Sequence, residues 1–149
     1  MATRYVLDTN VYIQALRDAE RLRCLKRFLL RNGTSVHLAS VVAMELRAGA
    51  RTRAQQSAVE GLFEPYVSRG LVVTPTFDAF VHAGRVVAET SSKGGYYSTS
   101  PQRLANDALL AASCRESGVS LITANVKDFA AIKRYMRDFE FSNERVVFA

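Results

Sequence analysis

Four carboxylates stand where one edge of a sheet would bring their side chains together: Asp8, Glu45, Asp107 and Asp128. Asp8 directly follows Tyr5-Val6-Leu7, an apolar segment typical of a buried strand. A buried carboxylate is costly unless a cation or hydrogen-bond donors compensate it. Carboxylates that share a site also repel one another and take up protons unless cations neutralise them. Oxygen ligands without nearby Cys or His suit Mg²⁺ or Mn²⁺, so the pattern indicates a divalent-metal site.

Such a site would cleave phosphodiesters. Divalent ions held by carboxylates orient a phosphate, activate water and stabilise the leaving oxygen. Taken singly, Glu45 and Asp107 also fit acids that complement a helix macrodipole, and Asp128 alone fits a helix cap. His37 and His82 are isolated in the sequence, which favours ordinary core or surface roles. The joint pattern of acids therefore carries the metal interpretation.

Hydrophobic periodicity predicts strands that alternate with helices, which indicates βαβ units and a mostly parallel sheet of four or five strands flanked by helices. No linker divides the chain, so we expect one domain over residues 1–149. We predict strands at 6–7, 35–39, 71–73, 119–122 and, at an edge, 146–148; helices at 10–16, 20–31, from a Ser40 cap onward, 55–67, 77–90, 103–117 and 128–136; and a loop over 91–101.

Parallel strands end at one edge of their sheet, where the following helices begin. This places Asp8, Glu45 and Asp128 at the same edge. Asp107 precedes the fourth strand, and it reaches that edge only if the 91–101 loop carries the chain back across it.

The composition adds weaker constraints. A net charge of +6 over 149 residues favours a polyanionic partner such as nucleic acid. No apolar run approaches the ~20 residues that span a bilayer, and no secretory signal pattern is present. We therefore expect a cytoplasmic protein without a membrane partner. Cys24 and Cys114 fit reduced thiols better than a disulfide.

The motifs resemble those of PIN-domain ribonucleases, and within them the VapC-like toxins of VapBC-type toxin–antitoxin pairs. Four segments carry the resemblance in the family's order: Val6–Asn10, Met44–Gly49, Asn106–Ala112 and Leu121–Phe129. The resemblance covers nearly the whole chain. It implies a three-layer PIN-like fold and a toxin that is a Mg²⁺- or Mn²⁺-dependent endoribonuclease, which cleaves RNA with metal-activated water and leaves 5′-phosphate and 3′-hydroxyl ends.

The resemblance also assigns site residues. Asp8, Glu45 and Asp107 match the family's three main catalytic, metal-binding acids, and Asp128 is the candidate for the fourth. The fourth acid can stand at position 125 or 128 in the family, and position 125 is Asn here. The supporting residues are expected to be Thr9, Asn10, Thr123 and Asn125.

The resemblance implies three partners: an RNA substrate, a cognate antitoxin and a second copy of the chain. Arg47, Arg51 and Lys93 are the candidate contacts for RNA or antitoxin, with Arg47 preferred for the antitoxin. The apolar helix faces at 25–30 and 59–63 fit either a dimer interface or the core.

Other classes of protein remain as alternatives. A PIN nuclease that processes RNA without an antitoxin, or a non-catalytic PIN module that binds RNA or protein, would show the same fold. A haloacid-dehalogenase-type phosphotransferase needs a second Asp where Asn10 stands. A phospho-acceptor receiver domain needs an acid within residues 4–7, which contain none.

Overall fold

A computed structural model describes residues 2–92 and 100–149. The strands are β1 (Tyr5–Leu7), β2 (Val36–Ala39), β3 (Val72–Val73), β4 (Ser120–Thr123) and β5 (Phe141–Asn143). The helices are α1 (Thr9–Arg17), α2 (Ala19–Asn32), α3 (Ser40–Gly49), α4 (Arg53–Ser68), α5 (Phe77–Ser92), α6 (Pro101–Ser117), α7 (Val126–Lys133) and α8 (Arg145–Phe148), with a 3₁₀ turn at Gly33–Ser35. None of the described helices is long and apolar enough to cross a membrane.

The five strands form one parallel sheet in the order β3-β2-β1-β4-β5. The predicted α/β class and the flanking helices are confirmed. From β1 the chain moves outward to β2 and β3, whereas from β4 it moves outward to β5 on the other side. Right-handed crossovers therefore place α1 to α4 on one face and α5 to α7 on the other. The direction in which the chain moves across the sheet reverses between β1 and β4, which makes this strand pair the switch point of the sheet. Open α/β sheets bind ligands at the carboxyl ends of the strands at such a point.

The core lies against the central strands. Val6, Leu121 and Ile122 are fully buried, as near-continuous apolar strands covered on both faces should be. Helix α6 contributes eight buried residues, and its small residues Ala108 and Ala111 are fully buried.

The end of α6 fixes the direction in which this helix runs. Gly118 follows it with a positive φ of 66°, which glycine adopts without steric cost. Arg4, just before β1, donates from its Nη2 to the Ser117 carbonyl at 2.5 Å, and Ser120 N donates to the Arg4 carbonyl at 2.8 Å. Helix α6 therefore ends where β1 and β4 begin. Its N-terminal turns, with Asp107, extend toward the edge where these strands end.

The predicted edge strand at 146–148 is wrong. Residues Arg145–Phe148 form the short helix α8, and the fifth strand is β5, which pairs with β4. A short apolar run such as Val146-Val147-Phe148 does not distinguish strand from helix by periodicity. Here Val146 is half exposed, while Phe141 of β5 packs beside Phe129 and Phe139.

Other boundaries also differ from the sequence prediction, among them those of α7, which was predicted over 128–136 and lies at Val126–Lys133. Ser40 is not the cap of α3, because Ala39 occupies the N-cap position and the Ser40 hydroxyl bonds the Thr74 hydroxyl at 2.6 Å. The predicted 91–101 loop is shorter, since α5 continues to Ser92 and α6 begins at Pro101. The rest of that loop, 93–99, lies outside the described residues.

Ser113 on α6 supplies a stability prediction. Its hydroxyl is fully buried and has no hydrogen-bond partner among the described residues. Leaving a buried hydroxyl unpaired costs about 1–3 kcal/mol. We expect Ser113→Ala to raise the free energy of unfolding by about 1 kcal/mol in urea titrations. Thr90→Val is the matched control, because the buried Thr90 hydroxyl donates to the Val86 carbonyl at 2.8 Å. A loss of stability in Ser113→Ala would contradict the prediction.

Candidate active site

Asp8 lies at the junction of β1 and α1. Its backbone N donates to the Ile122 carbonyl at 2.9 Å, so it continues the pairing of β1 with β4. Its side chain caps α1, with Oδ1 accepting a hydrogen bond from Thr9 N at 2.8 Å. Only 4% of the residue is exposed. The chain thus buries a carboxylate at the carboxyl end of the central strand, as the sequence predicts.

The second carboxylate oxygen of Asp8 joins the β1 end to the β4 end. Thr123 Oγ1 donates to Asp8 Oδ2 at 2.7 Å, and Asn10 Nδ2 donates to the same oxygen at 3.1 Å. The Thr123 hydroxyl in turn accepts from Asn125 N at 2.9 Å. The side-chain Oδ1 of Asn10 accepts from Ala124 N at 3.1 Å. Both side chains hold Asp8 in one orientation across the switch point of the sheet.

Glu45 on α3 faces the same position. Thr9 Oγ1 donates to Glu45 Oε1 at 2.8 Å, so a single residue of the β1–α1 turn links the two acids. Glu45 is half-buried. The two carboxylates are close enough for the negative charge of Glu45 to raise the pKa of Asp8.

Burial dominates the electrostatics of Asp8. Desolvation raises its pKa, the hydrogen bonds from Thr123 and Thr9 lower it, and Glu45 raises it again. The net pKa of Asp8 is raised above its ordinary value. Its negative charge is therefore incompletely compensated by the protein, and a bound cation would favour the ionised form.

Asp107 is buried in α6, with 4% of the residue exposed. Burial raises the pKa of the Cys114 thiol far above its usual range, and the negative charge of Asp8 adds to this effect. Cys114 therefore lies within electrostatic reach of Asp8. Asp107 precedes Cys114 by two helical turns, which puts both on one face of α6. Because α6 runs from the carboxyl edge of the sheet to the edge where β1 and β4 begin, Asp107 is displaced from Cys114 toward the carboxyl edge.

Asp128 occupies the first turn of α7, just after β4, and is 7% exposed. The N-cap of α7 is Asn125, whose side chain makes no capping hydrogen bond. Asp128 thus reaches the carboxyl edge as the sequence predicts, at a position that also complements the macrodipole of α7.

The donor set fits Mg²⁺ or Mn²⁺, although not as a preformed cage. Within residues 2–92 and 100–149, no three His, Cys, Asp or Glu side chains are grouped so that they could hold a metal ion. Mg²⁺ commonly binds one or two carboxylates and completes its shell with waters and substrate phosphates. Asp8 and Glu45, linked through Thr9, supply such a pair. The four-acid set that includes Asp107 and Asp128 stays a prediction.

The structure describes two of the three predicted cationic contacts, Arg47 and Arg51, and both are exposed. Arg47 is exposed on α3, and its Nε lies 3.6 Å from Oε1 of Glu60 on α4. Arg51 is also exposed, between α3 and α4. Lys93 lies outside the described residues.

The helix faces offered as a dimer interface belong mainly to the core. Leu25, Phe28 and Val59 are buried, whereas Leu30 is 85% exposed. A homodimer stays a prediction of the family resemblance.

Sequence reasoning missed one acid at this edge. Glu144 follows β5 directly, and its backbone N donates to the Thr123 carbonyl at 3.1 Å. Its Oε2 accepts from Gln14 Nε2 at 2.5 Å. Glu144 was overlooked because the last strand was predicted at 146–148. A strand at 141–143 would have put Glu144 directly after a strand end, which is the position that Asp8 occupies after β1.

Comparison with known proteins agrees with this geometry. The PIN domain family profile matches residues 5–135. The chain belongs to the PIN domain family. The resemblance inferred from the motifs is thereby confirmed.

Among curated PIN-family relatives, the chain is 28% identical over 133 residues to the tRNA(fMet)-specific endonuclease VapC of Salmonella typhimurium. It is 26% identical over 129 residues to ribonuclease VapC2 of Haemophilus influenzae. Each match covers 87% of this chain and 92% of the relative. A solved structure of DNA-bound VapBC from Salmonella typhimurium superposes with a TM-score of 0.71 at 21% identity, covering 96% of this chain and 99% of that one. The PIN-like fold is confirmed.

Proposed function

We propose that this PIN domain is a divalent-metal-dependent endoribonuclease that acts as the toxin of a toxin–antitoxin pair. One observation carries the catalytic part. A buried Asp8 with a raised pKa, close to Glu45, lies at the switch point of the sheet. Support also comes from the relatives that are named ribonucleases or endonucleases.

The residues of the site have separate tasks. A divalent ion, when bound, would lower the pKa of water and neutralise charge on the scissile phosphate. Asp8 offers it an oxygen that Thr123 and Asn10 hold in place. Thr9 orients Glu45 by a hydrogen bond to one oxygen, which leaves the other carboxylate oxygen for the ion or its water. Asp107 and Asp128 add negative charge at the same edge, which strengthens the attraction for a cation.

Metal removal tests the catalytic part. Purified protein should cleave RNA internally with Mg²⁺ or Mn²⁺, leaving 5′-phosphate and 3′-hydroxyl ends, and EDTA should stop the cleavage. Adding Mg²⁺ in excess over EDTA should restore it, which separates metal loss from damage to the protein. Cleavage that persists in EDTA would refute the metal site. No cleavage under any of these conditions would favour a non-catalytic PIN module.

The toxin assignment has an independent test. Several structural neighbours are VapBC complexes, in which a VapC is bound to its VapB partner. Expressed alone, the protein should arrest growth. Co-expressed with the product of an adjacent small gene, it should form a stable complex with suppressed nuclease activity. Cleavage without growth arrest and without such a complex would instead favour an RNA-processing nuclease.

A further inference from the structure

Helix α2 carries much of the excess positive charge of the chain. It holds five cationic side chains and one acid, in a protein with a net charge of +6. Four cations recur at three- and four-residue spacing, which places them on one side of the helix. Leu25 and Phe28, on the opposite side, are buried in the core. We call the exposed strip the α2 basic face, formed by Arg23, Lys26, Arg27, Leu30 and Arg31.

The protein compensates little of this charge. Arg23 pairs with Glu20, but the two side chains are 63% and 66% exposed, and such surface pairs contribute little. Lys26, Arg27 and Arg31 form no ion pair within residues 2–92 and 100–149. Like charges gathered on one face repel one another, and a polyanion that binds there would relieve the repulsion.

The shape of the face favours an extended partner. Two cavities lie among the described residues, of about 270 and 510 Å³, and no residue of the α2 basic face lines either of them. The face is an exposed helix side with one apolar side chain, Leu30, among its cations. Neither of these two cavities therefore gives the face a pocket of the kind in which a protein partner anchors its side chains. The face suits a chain that presents a row of anionic groups, and Arg and Lys are the common ligands of phosphate.

The α2 basic face begins on the same side of the molecule as the candidate active site. The first turn of α2 is joined to α1 by a hydrogen bond from Arg21 to Gln14. Gln14 bonds Glu144 at 2.5 Å, and Glu144 N bonds the carbonyl of Thr123 at 3.1 Å. From Arg23 to Arg31 the face extends roughly 12 Å along the helix. An RNA chain would have to continue beyond the scissile phosphate to cover it.

We propose that the α2 basic face binds the phosphate backbone of a folded RNA substrate outside the cleavage site. The protein then prefers RNAs large enough to contact both regions over short single strands. This inference rests on the proposed ribonuclease function, of which it specifies the substrate class.

A triple variant tests this proposal: Lys26→Gln, Arg27→Gln and Arg31→Gln. Arg85→Gln, Arg134→Gln and Arg137→Gln form the matched control, because they remove the same charge from other exposed positions. Binding of mixed tRNA and of a single-stranded pentanucleotide is measured by fluorescence anisotropy in EDTA over a range of salt concentrations. Cleavage of both RNAs is then measured with Mg²⁺.

Each lost phosphate contact removes roughly 0.7 from the slope of log K against log salt. We expect the triple variant to lower that slope for tRNA by about 2 and to weaken binding roughly 10- to 50-fold near 0.15 M salt. Pentanucleotide cleavage should be unchanged, and the control variant should keep the slope for tRNA.

Binding of polyglutamate is measured in parallel as an acidic polypeptide. Three outcomes would overturn the proposal: an unchanged slope for tRNA, an equal loss in the control variant, or a loss confined to polyglutamate, which would assign the face to an acidic protein partner. Failure of the proposed ribonuclease function would look different from failure of this proposal. In that case the wild type would cleave neither RNA with Mg²⁺, whatever the salt slopes for binding show.

Discussion

Asp8→Asn is expected to lower RNA cleavage by roughly a thousandfold or more at saturating Mg²⁺. The substitution keeps the shape of the side chain and removes its negative charge. Metal-based charge stabilisation supplies several kcal/mol to a phosphodiester transition state, and roughly 4 kcal/mol corresponds to three orders of magnitude in rate. Gel analysis of RNA cleavage in single-turnover reactions measures the loss. Asp78→Asn is the matched control, because Asp78 is exposed in the first turn of α5.

The stability of the Asp8→Asn variant separates lost chemistry from lost folding. Burial raises the pKa of Asp8 in the folded protein above its value in the unfolded chain. The ionised carboxylate therefore has its full cost in stability above the folded-state pKa. The cost shrinks as the pH falls below that pKa and is gone below the unfolded-state pKa. In metal-free buffer the melting temperature of the wild type should rise relative to that of the variant as the pH falls, because only the wild type loses the cost of a buried charge. Retained cleavage by a stably folded Asp8→Asn protein would remove Asp8 from the metal site.

The position of Asp8 could be predicted from local sequence because the signals agree. Tyr5-Val6-Leu7 indicates a buried strand, and parallel strands bring their carboxyl ends to one edge. Gly118 was likewise predictable as the end of α6, since a left-handed residue commonly closes a helix. In both cases a few adjacent residues specify the backbone.

The hydrogen bonds that orient Asp8 were not predictable in the same way. Thr123 meets Asp8 only because β4 lies beside β1, a pairing between residues 115 positions apart. Periodicity identifies strands but not their order, so the role of Thr123 came from the family resemblance. Glu144 was missed for a local reason. The apolar run Val146-Val147-Phe148 suggested a strand but belongs to the four-residue helix α8, whereas the strand β5 (Phe141–Asn143) has a single apolar residue.

Thr123→Val should impair the site without removing any acid. Thr123 is fully buried, and valine matches its volume, so the substitution removes mainly the hydroxyl. Its hydrogen bond is the largest influence that lowers the pKa of Asp8. Without it the pKa of Asp8 rises further, and the acid limb of the pH–rate profile should move to higher pH. Loss of a residue that orients a metal ligand typically costs about 10- to 100-fold in activity or metal affinity, and we expect a loss in that range near neutral pH.

Thr123→Ser is the control that isolates the hydroxyl, since serine keeps the donor to Asp8 and the acceptor for Asn125 N. It should retain the wild-type acid limb, even if the lost methyl lowers stability by about 1 kcal/mol. A purely structural role for Thr123 would lower the rates of both variants and leave the acid limb in place. A shift in Thr123→Val alone would instead show that the β4 hydroxyl keeps Asp8 ionised, so that the order of the strands contributes directly to the charge of the site.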